Sequence, residues 1–293
     1  MSRAARALMA SLADWNRERR LRYLPYWAQA WFWITRRSGG YELLSLDEVR
    51  ERKRSDTLFI LGSGPSIRRV RPSQWEYVSQ HESFGINFSL LLDIVPTYQL
   101  MEDGKVAWHR ELTKRVLAPR RRRLSPAIWF ISNRHTRRLI HPRYTPELFP
   151  DPARVCVFQL PERLLLERDR PFTAEDFAKS IRYRGTMSLV LYLGMQLGYK
   201  RLVLLGVDLH TPRHFFEDME EMREYMENVS RDQLDDRLPF PVMIPKDRMY
   251  RPLDEYLYAL NELHFSRKGI ELYVGNRDNM LCPRIPYFAD WDE

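Results

Sequence analysis

The sequence predicts an α/β fold: a mostly parallel sheet with helices on both faces, preceded by an N-terminal helical extension. Three observations point there. Short continuous apolar runs of strand length recur along the chain, the pattern of strands buried on both faces. Longer apolar or amphipathic stretches of helix length alternate with them. The 293 residues, 44% apolar and 29% charged, suffice to bury a full core.

Residues 1 to about 50 read as helices with a linker, "RRSGG", at 36–40. The division expected is therefore 1–50 for the extension and 51–293 for the main domain. From Thr57 the pattern changes. "TLFILG" is an apolar run of strand length. "ESFGINFSLLL" (82–92) and "TYQLME" (97–102) read as further strands or strand ends, and "PAIWFIS" (126–132) and "RVCVFQL" (154–160) as two more. "GTMSLVLYLGMQLGYK" (185–200) is too long for a strand and apolar nearly all round, so it reads as a buried helix capped by Gly198. "RLVLLGVDLH" (201–210) returns to a continuous strand. "LDEYLYALNELHFSRKG" (253–269) is an amphipathic helix ending in Gly269, and "IELYVG" (270–275) is a last strand. Strands alternating with helices in this order make the main domain Rossmann-like.

The net charge of +8 and pI near 9.5 favour anionic partners. Nucleic acid is set aside, because no zinc-finger or RNP-type motif accompanies the charge. The run "RRRR" (120–123) reads as a solvated loop, with contact to an anionic partner as the alternative. Two cysteines, Cys156 and Cys282, make neither a disulfide framework nor a metal motif, which suits a reducing compartment. No apolar run has the length of a membrane span, and the first residues do not read as a signal peptide. Residues 20–37, "RLRYLPYWAQAWFWITRR", set Trp27, Trp31, Phe32 and Trp33 between arginines. Such a segment suits a membrane interface, or a helix packed on the main domain or a second subunit; both readings stand.

In an open α/β sheet, ligands bind outside the carboxyl ends of the strands. Four polar clusters fall there: "GSGPS" after the strand at 58, "GINFS" around Asn87, "MEDG" after Leu100 and "GVDLH" after the strand at 202. Gly62 and Gly64 permit a tight turn and close approach of a ligand to the backbone. Pro65 fixes the exit, and Ser63 and Ser66 offer hydroxyls that can cap a following turn, leaving N–H groups free for an anion. The turn is neither the dinucleotide fingerprint, since Ile67 replaces the third glycine, nor a P-loop, since no Gly-Lys-Ser/Thr follows. Thr186 stands where the buried helix begins, as an N-cap, with Gly185 leaving the helix amides reachable. Asp208 follows a strongly apolar strand, with His210, Arg213 and His214 close behind. That cluster suits charge stabilisation and proton transfer, or a carboxylate capping a loop. Zinc at His210 and His214 is disfavoured by Pro212 between them.

Together, "LGSGPSI", "GINFS" and "RGTMSLVLYLGMQLGYKRLVLLGVDLH" resemble the bacterial sialyltransferases that use CMP-N-acetylneuraminic acid. They also resemble the related CMP-Kdo transferases of capsule and lipopolysaccharide assembly. The likeness covers roughly residues 57–275, and "LGYKRLVLLGVDLH" is its most specific part. A more distant likeness runs to motility-associated flagellin glycosyltransferases and to a pterin pyrophosphokinase group, which carry a "GSGPS"-type turn. The resemblance implies a CMP-sugar donor held by Gly62, Ser63, Gly64, Pro65, Ser66 and Asn87, with Gly185 and Thr186 at the helix start. It implies a glycan or lipid-linked glycan as acceptor, no metal or other cofactor, and a cytoplasmic, membrane-peripheral location where surface polysaccharide is made.

Departures from the family pattern are specific. A tyrosine pair that contacts the leaving phosphate aligns with His210 and with the neighbourhood of Phe215. The family's histidine base falls in "PVMIPKDRMYRPL", which holds no histidine, and an asparagine on the third strand falls on "MEDG", where Glu102 or Asp103 stands. The resemblance therefore keeps the donor class and alters the base. Departure of CMP from such a sugar leaves an oxocarbenium-like centre that a carboxylate can stabilise or trap. Asp208 and Glu102 are the candidates for nucleophile and acid/base partner, with His210 beside the leaving group. "DWD" at 290–292 reads as solvated rather than as a metal site. In "FFEDMEEMREYMENV" (215–229), Phe215, Met219, Met222 and Met226 read as packing or as a lid.

Overall fold

The computed structural model describes residues 41–101, 107–132, 153–161, 164, 169–183, 185–211, 213–224, 226–227 and 251–292. The aromatic segment at 20–37, Glu102 and Asp103, and the segment "PVMIPKD" lie outside the described residues.

Eight parallel strands form one sheet: β1 (Tyr41–Leu44), β2 (Thr57–Leu61), β3 (Glu82–Ile86), β4 (Tyr98–Leu100), β5 (Ile128–Ser132), β6 (Ala153–Phe158), β7 (Arg201–Leu205) and β8 (Glu271–Val274). Their order across the sheet is β1-β6-β5-β4-β3-β2-β7-β8. Among the described residues six α-helices accompany them: α1 (Leu46–Glu51), α2 (Pro72–Ser79), α3 (Ala107–Leu117), α4 (Ala174–Lys179), α5 (Gly185–Gln196) and α6 (Leu253–Leu260).

Every residue of β2 is buried, which requires cover on both faces of the sheet. The alternation supplies it. Leu58 and Ile60 point into one core with Val49 of α1, Phe177 of α4, Leu189 and Leu193 of α5, and Tyr256 and Leu257 of α6. Phe59 and Leu61 point into the other, with Val78 of α2, Leu112 and Val116 of α3, and Phe288 and Trp291 from the C-terminal residues. The helices thus lie on both faces, as the sequence predicts.

The reading of residues 41–44 as part of a helical extension is corrected: they form β1, an edge strand paired to β6 from Tyr41↔Ala153 to Leu44↔Cys156. The helix follows it, where Ser45 and Glu48 make a reciprocal capping box. Arg50 of α1 donates to the Gln196 carbonyl at 3.1 and 2.7 Å, tying the edge of the fold to the end of α5.

The buried helix ends as expected. Gly198 has φ 81°, and the Tyr199→Gly194 and Gly198→Met195 backbone bonds (3.1 and 3.0 Å) close a Schellman motif. Gly269 repeats the geometry at φ 64°, with Ile270 donating to Phe265 and Gly269 to Ser266. Between α6 and Gly269 the chain runs through a π turn (Asn261–Phe265) and a 3-10 turn (Ser266–Lys268) rather than one regular helix. Cys156 is buried on β6 and Cys282 half-buried; both are free.

β2 carries β3 on one side and β7 on the other. From β2 the strands run outward to β6 and β1; the chain then returns through α4 and α5 to β7. The carboxyl ends of β2 and β7 therefore flank the point where the winding reverses, the crevice in which open α/β sheets bind ligands.

Candidate active site

The glycine turn leaves β2 at this reversal and is pinned to the exit of β7. Gly62 N–H donates to the Leu205 carbonyl and Gly64 N–H to the Gly206 carbonyl, both at 2.8 Å. A Cβ on Gly62 would collide with the Gly206 carbonyl, and one on Gly64 with the Asp208 side chain. Gly62 therefore needs glycine because two backbones pass each other, and Gly64 because the Asp208 side chain lies against it. Gly206 itself has φ 63° and ends β7 at Leu205, so the apolar run at 201–210 is not one strand throughout.

Asp208 closes the arrangement. Its Oδ2 accepts the Ser66 N–H at 2.6 Å, at the start of the 3-10 turn Pro65–Arg69. The expectation that serine hydroxyls cap this turn is corrected: Gly64 is the N-cap residue, with no side-chain cap, and the Asp208 carboxylate does the work from across the crevice. The expected run of free amides is also reduced. Gly62, Gly64 and Ser66 spend theirs within the chain, which leaves Ser63 as the one residue of the turn whose N–H has no partner among the described residues. The second carboxylate oxygen of Asp208 accepts no hydrogen bond among the described residues.

The Ser63 hydroxyl meets His214 Nδ1 at 3.1 Å, and the Ser63 carbonyl accepts the Phe215 N–H at 2.8 Å. Burial pushes the His214 imidazole below the usual 6.5, against an opposing pull from Glu217 and the Ser63 backbone. Glu217 fixes the loop by accepting the His214 N–H at 2.6 Å and Arg213 Nε at 3.0 Å. His214 also stacks on Phe216, with ring centroids 4.9 Å apart. Sequence reasoning set His214 in the Asp-His-Arg cluster but gave it no role; contact with the glycine turn, far away in the chain, has no local signal. His210 is exposed. Phe215 and Met222 are buried, and Met219 and Met226 pack beside them, so the methionine stripe is packing.

Beside this pair, β3 ends at Ile86 and is followed by Asn87, the one described non-glycine residue with positive φ, 49°. Buried Gln99 of β4 donates to the Asn87 carbonyl at 3.0 Å and so helps hold that conformation. A glutamine inside an apolar strand is the sequence signal for this. The Asn87 amide reaches across to the Thr186 hydroxyl, 3.4 Å away. Thr186 is not the N-cap expected, since α5 already begins at Gly185, which has φ 65°. The first turn of α5 is held instead by Ser188, whose hydroxyl donates to the Gly185 carbonyl at 3.1 Å and accepts the Tyr183 N–H at 3.2 Å.

The structure thus brings together Gly62, Ser63, Gly64, Ser66 and Asp208 as one unit, and Asn87 with Thr186 as another. They stand on adjacent strand ends, which lie about 4.8 Å apart per strand. Of the arginine run, Arg120 pairs bidentately with Glu221 at 2.9 and 2.6 Å, and Arg123 donates to the Leu90 and Leu92 carbonyls, so two of its members are structural. No group of three or more His, Cys, Asp or Glu among the described residues is arranged to hold a metal ion. No helix among them is long and apolar enough to cross a membrane.

No family model matches the chain, and no curated protein matches it. Among solved structures the chain is similar to the monofunctional α-2,3-sialyltransferase Cst-I from Campylobacter jejuni. That match has 14% identity over 79% of this chain and 80% of that one, with a TM-score of 0.44. It is also similar to the sialyltransferase CstII from Campylobacter jejuni in complex with the substrate analogue CMP-3FNeuAc. Here the identity is 16%, over 79% of this chain and 85% of that one, with a TM-score of 0.43.

Proposed function

We propose that this protein is a glycosyltransferase that takes a 3-deoxy-2-ulosonic acid sugar, sialic acid or Kdo, from a CMP-activated donor to a glycan acceptor. The observation that carries the reading is the glycine turn at the winding reversal, held by Asp208 and flanked by Asn87 and Thr186. The motifs resembling the CMP-sugar transferases fall on these same residues. The turn and the Asn87–Thr186 pair receive the nucleotide. The Asp208 oxygen that the Ser66 N–H leaves unengaged suits stabilisation of an oxocarbenium-like centre. Glu102 and His210 are proposed beside it as acid/base partner and leaving-group contact. The His214 imidazole, which burial pushes towards its neutral form, holds the Ser63 hydroxyl.

Calorimetry on the purified chain is the first test. CMP should bind, and ATP should bind less well. Absence of CMP and CTP binding overturns the donor assignment, and a preference for ATP points to pyrophosphoryl transfer instead. Asn87→Ala should weaken CMP by about 1–3 kcal/mol, the cost of a lost buried hydrogen-bond partner. Acceptor-dependent release of CMP then separates transfer from hydrolysis.

The aromatic segment at 20–37 is proposed to dock the enzyme on the cytoplasmic face of a membrane. Basic residues gain about 1 kcal/mol each near an anionic surface, and tryptophans prefer the headgroup level. Replacing Trp27, Trp31 and Trp33 by alanine should release the protein from anionic liposomes. Unchanged liposome binding sinks the docking proposal.

A further inference from the structure

A second concavity opens on the other side of the glycine turn, towards β8. Its volume is about 430 Å3, and Ser66, Arg69, Arg71, Arg277, Tyr287 and Asp292 are among its lining residues. Three guanidinium groups, of Arg69, Arg71 and Arg277, face two carboxylates, Asp278 and Asp292, leaving one positive charge in excess. The carboxylate of Asp292 sits at the centre of the donors. Arg71 Nη2 bonds its Oδ1; the Tyr287 hydroxyl donates to Oδ2 at 2.7 Å, and Arg277 Nη2 approaches Oδ2 at 3.4 Å. The donors are themselves held in place. Trp291 Nε1 donates to the Tyr287 hydroxyl at 2.8 Å, and the Arg277 guanidinium lies 4.4 Å from the centre of the Tyr287 ring. The Tyr287 hydrogen bond, with Arg277 and Arg71, keeps the Asp292 carboxyl below the usual carboxylate range.

Donors on both oxygens of one planar carboxylate are the geometry by which proteins recognise a carboxylate ligand. We propose that Arg71, Arg277 and the Tyr287 hydroxyl form a seat for the carboxylate of a small organic acid, which the protein's own Asp292 fills when no ligand is present. The remainder of such a ligand lies in the cavity towards Arg69 and the Ser66 hydroxyl. Asp292 can leave without unfolding the tail. Its neighbour Trp291 is buried and stacks on Phe59 with centroids 5.9 Å apart, and Asp290 pairs with Arg201 at 2.6 Å. Those two anchors hold the 3-10 turn Asp290–Asp292 while the Asp292 side chain, 30% exposed, rotates away. A tethered carboxylate competes at high effective concentration, so the native chain binds an external one weakly. The seat shares only Ser66 with the proposed nucleotide site and does not depend on it.

The test uses the full chain, titrated with D-glucuronate, inorganic phosphate and neutral glucose, with CMP titrated in parallel. Asp292→Ala should bind glucuronate at least tenfold more tightly than the native chain, while glucose binds neither. Adding Arg71→Ala or Arg277→Ala to Asp292→Ala should abolish that gain. Arg277 is the more exposed of the two, so its variant stands if Arg71→Ala fails to fold. Unchanged glucuronate affinity in Asp292→Ala overturns the seat, as does binding that survives loss of either arginine in a folded protein. Tightening for phosphate alone overturns the carboxylate assignment. Failure to bind CMP leaves the seat standing and removes the nucleotide site instead, so the two outcomes are separable.

Discussion

Gly62 and Gly206 meet backbone to backbone, and neither strand end can retreat, because β2 and β7 are paired from Thr57↔Arg201 to Leu61↔Leu205. Gly62→Ala should therefore cost about 1–3 kcal/mol of stability, the range for overpacking a rigid contact, read as a lowered urea midpoint with an unchanged slope. Asp208 separates two roles. Asp208→Asn keeps an oxygen for the Ser66 N–H, so fold and CMP affinity should hold while transfer is lost; near-normal turnover removes the carboxylate from the mechanism. Asp208→Ala leaves that N–H unpaired and should add about 1–3 kcal/mol of destabilisation. The need for glycine at 62 and 64 was legible in the sequence, as was an unusual carboxylate after an apolar strand. The partner of each was not, because Leu205, Gly206 and Asp208 reach the turn only once β2 and β7 lie side by side. The same holds for Ser63 and His214.

At the scale of elements, local chemistry was the reliable guide. Apolar runs marked β2, β5, β6 and β7, and glycines marked the ends of α5 and of the α6 segment. Gly269 has open space around its missing Cβ but a left-handed backbone. Gly269→Ala should therefore lose about 1–2 kcal/mol through backbone strain alone. Gly269→Asn, which tolerates that conformation, should recover part of it in the same thermal melt. Equal melting of the alanine variant and the native chain overturns the cap assignment. What the sequence hid is β1. "YELL" is four residues with a charge in the middle, and it becomes a strand because β6 offers it a ladder. A short edge strand has no pattern of its own to read. The end of β3 is hidden in a different way: its run continues apolar to Leu92, but the chain turns out of the sheet at Asn87, with Gln99 holding the turn.

On the scale of the whole molecule, the strand order decides where a site can be, and no local pattern encodes that order. Electrostatics spread over the molecule sets its response to acid. His81, His214 and His264 all have their imidazoles pushed below 6.5, each chiefly by burial. His264 Nε2 is buried with no hydrogen-bond partner among the described residues. The unfolded chain takes up these protons near pH 6.5, and the folded chain resists them until the pH is lower. Between those values the unfolded state binds more protons, so stability is flat above 6.5 and falls as the pH drops below it. Carboxylates act in a separate, lower window. Asp56, Glu262 and Asp292 are held below 3.8 to 4.5 by hydrogen bonds and neighbouring cations, and their contribution is lost only as the pH falls through that range and beneath it. The urea midpoint should accordingly fall between pH 7.5 and pH 5.5, where those carboxylates remain ionised. His264 rests beside Phe177 and Phe265, ring centroids 6.2 Å from each. His264→Phe should shrink the difference between the two pH values without lowering the midpoint at pH 7.5 by a comparable amount. Identical pH sensitivity in the variant and the native chain removes His264 from the acid response, and equal midpoints in the native chain at both pH values remove all three histidines.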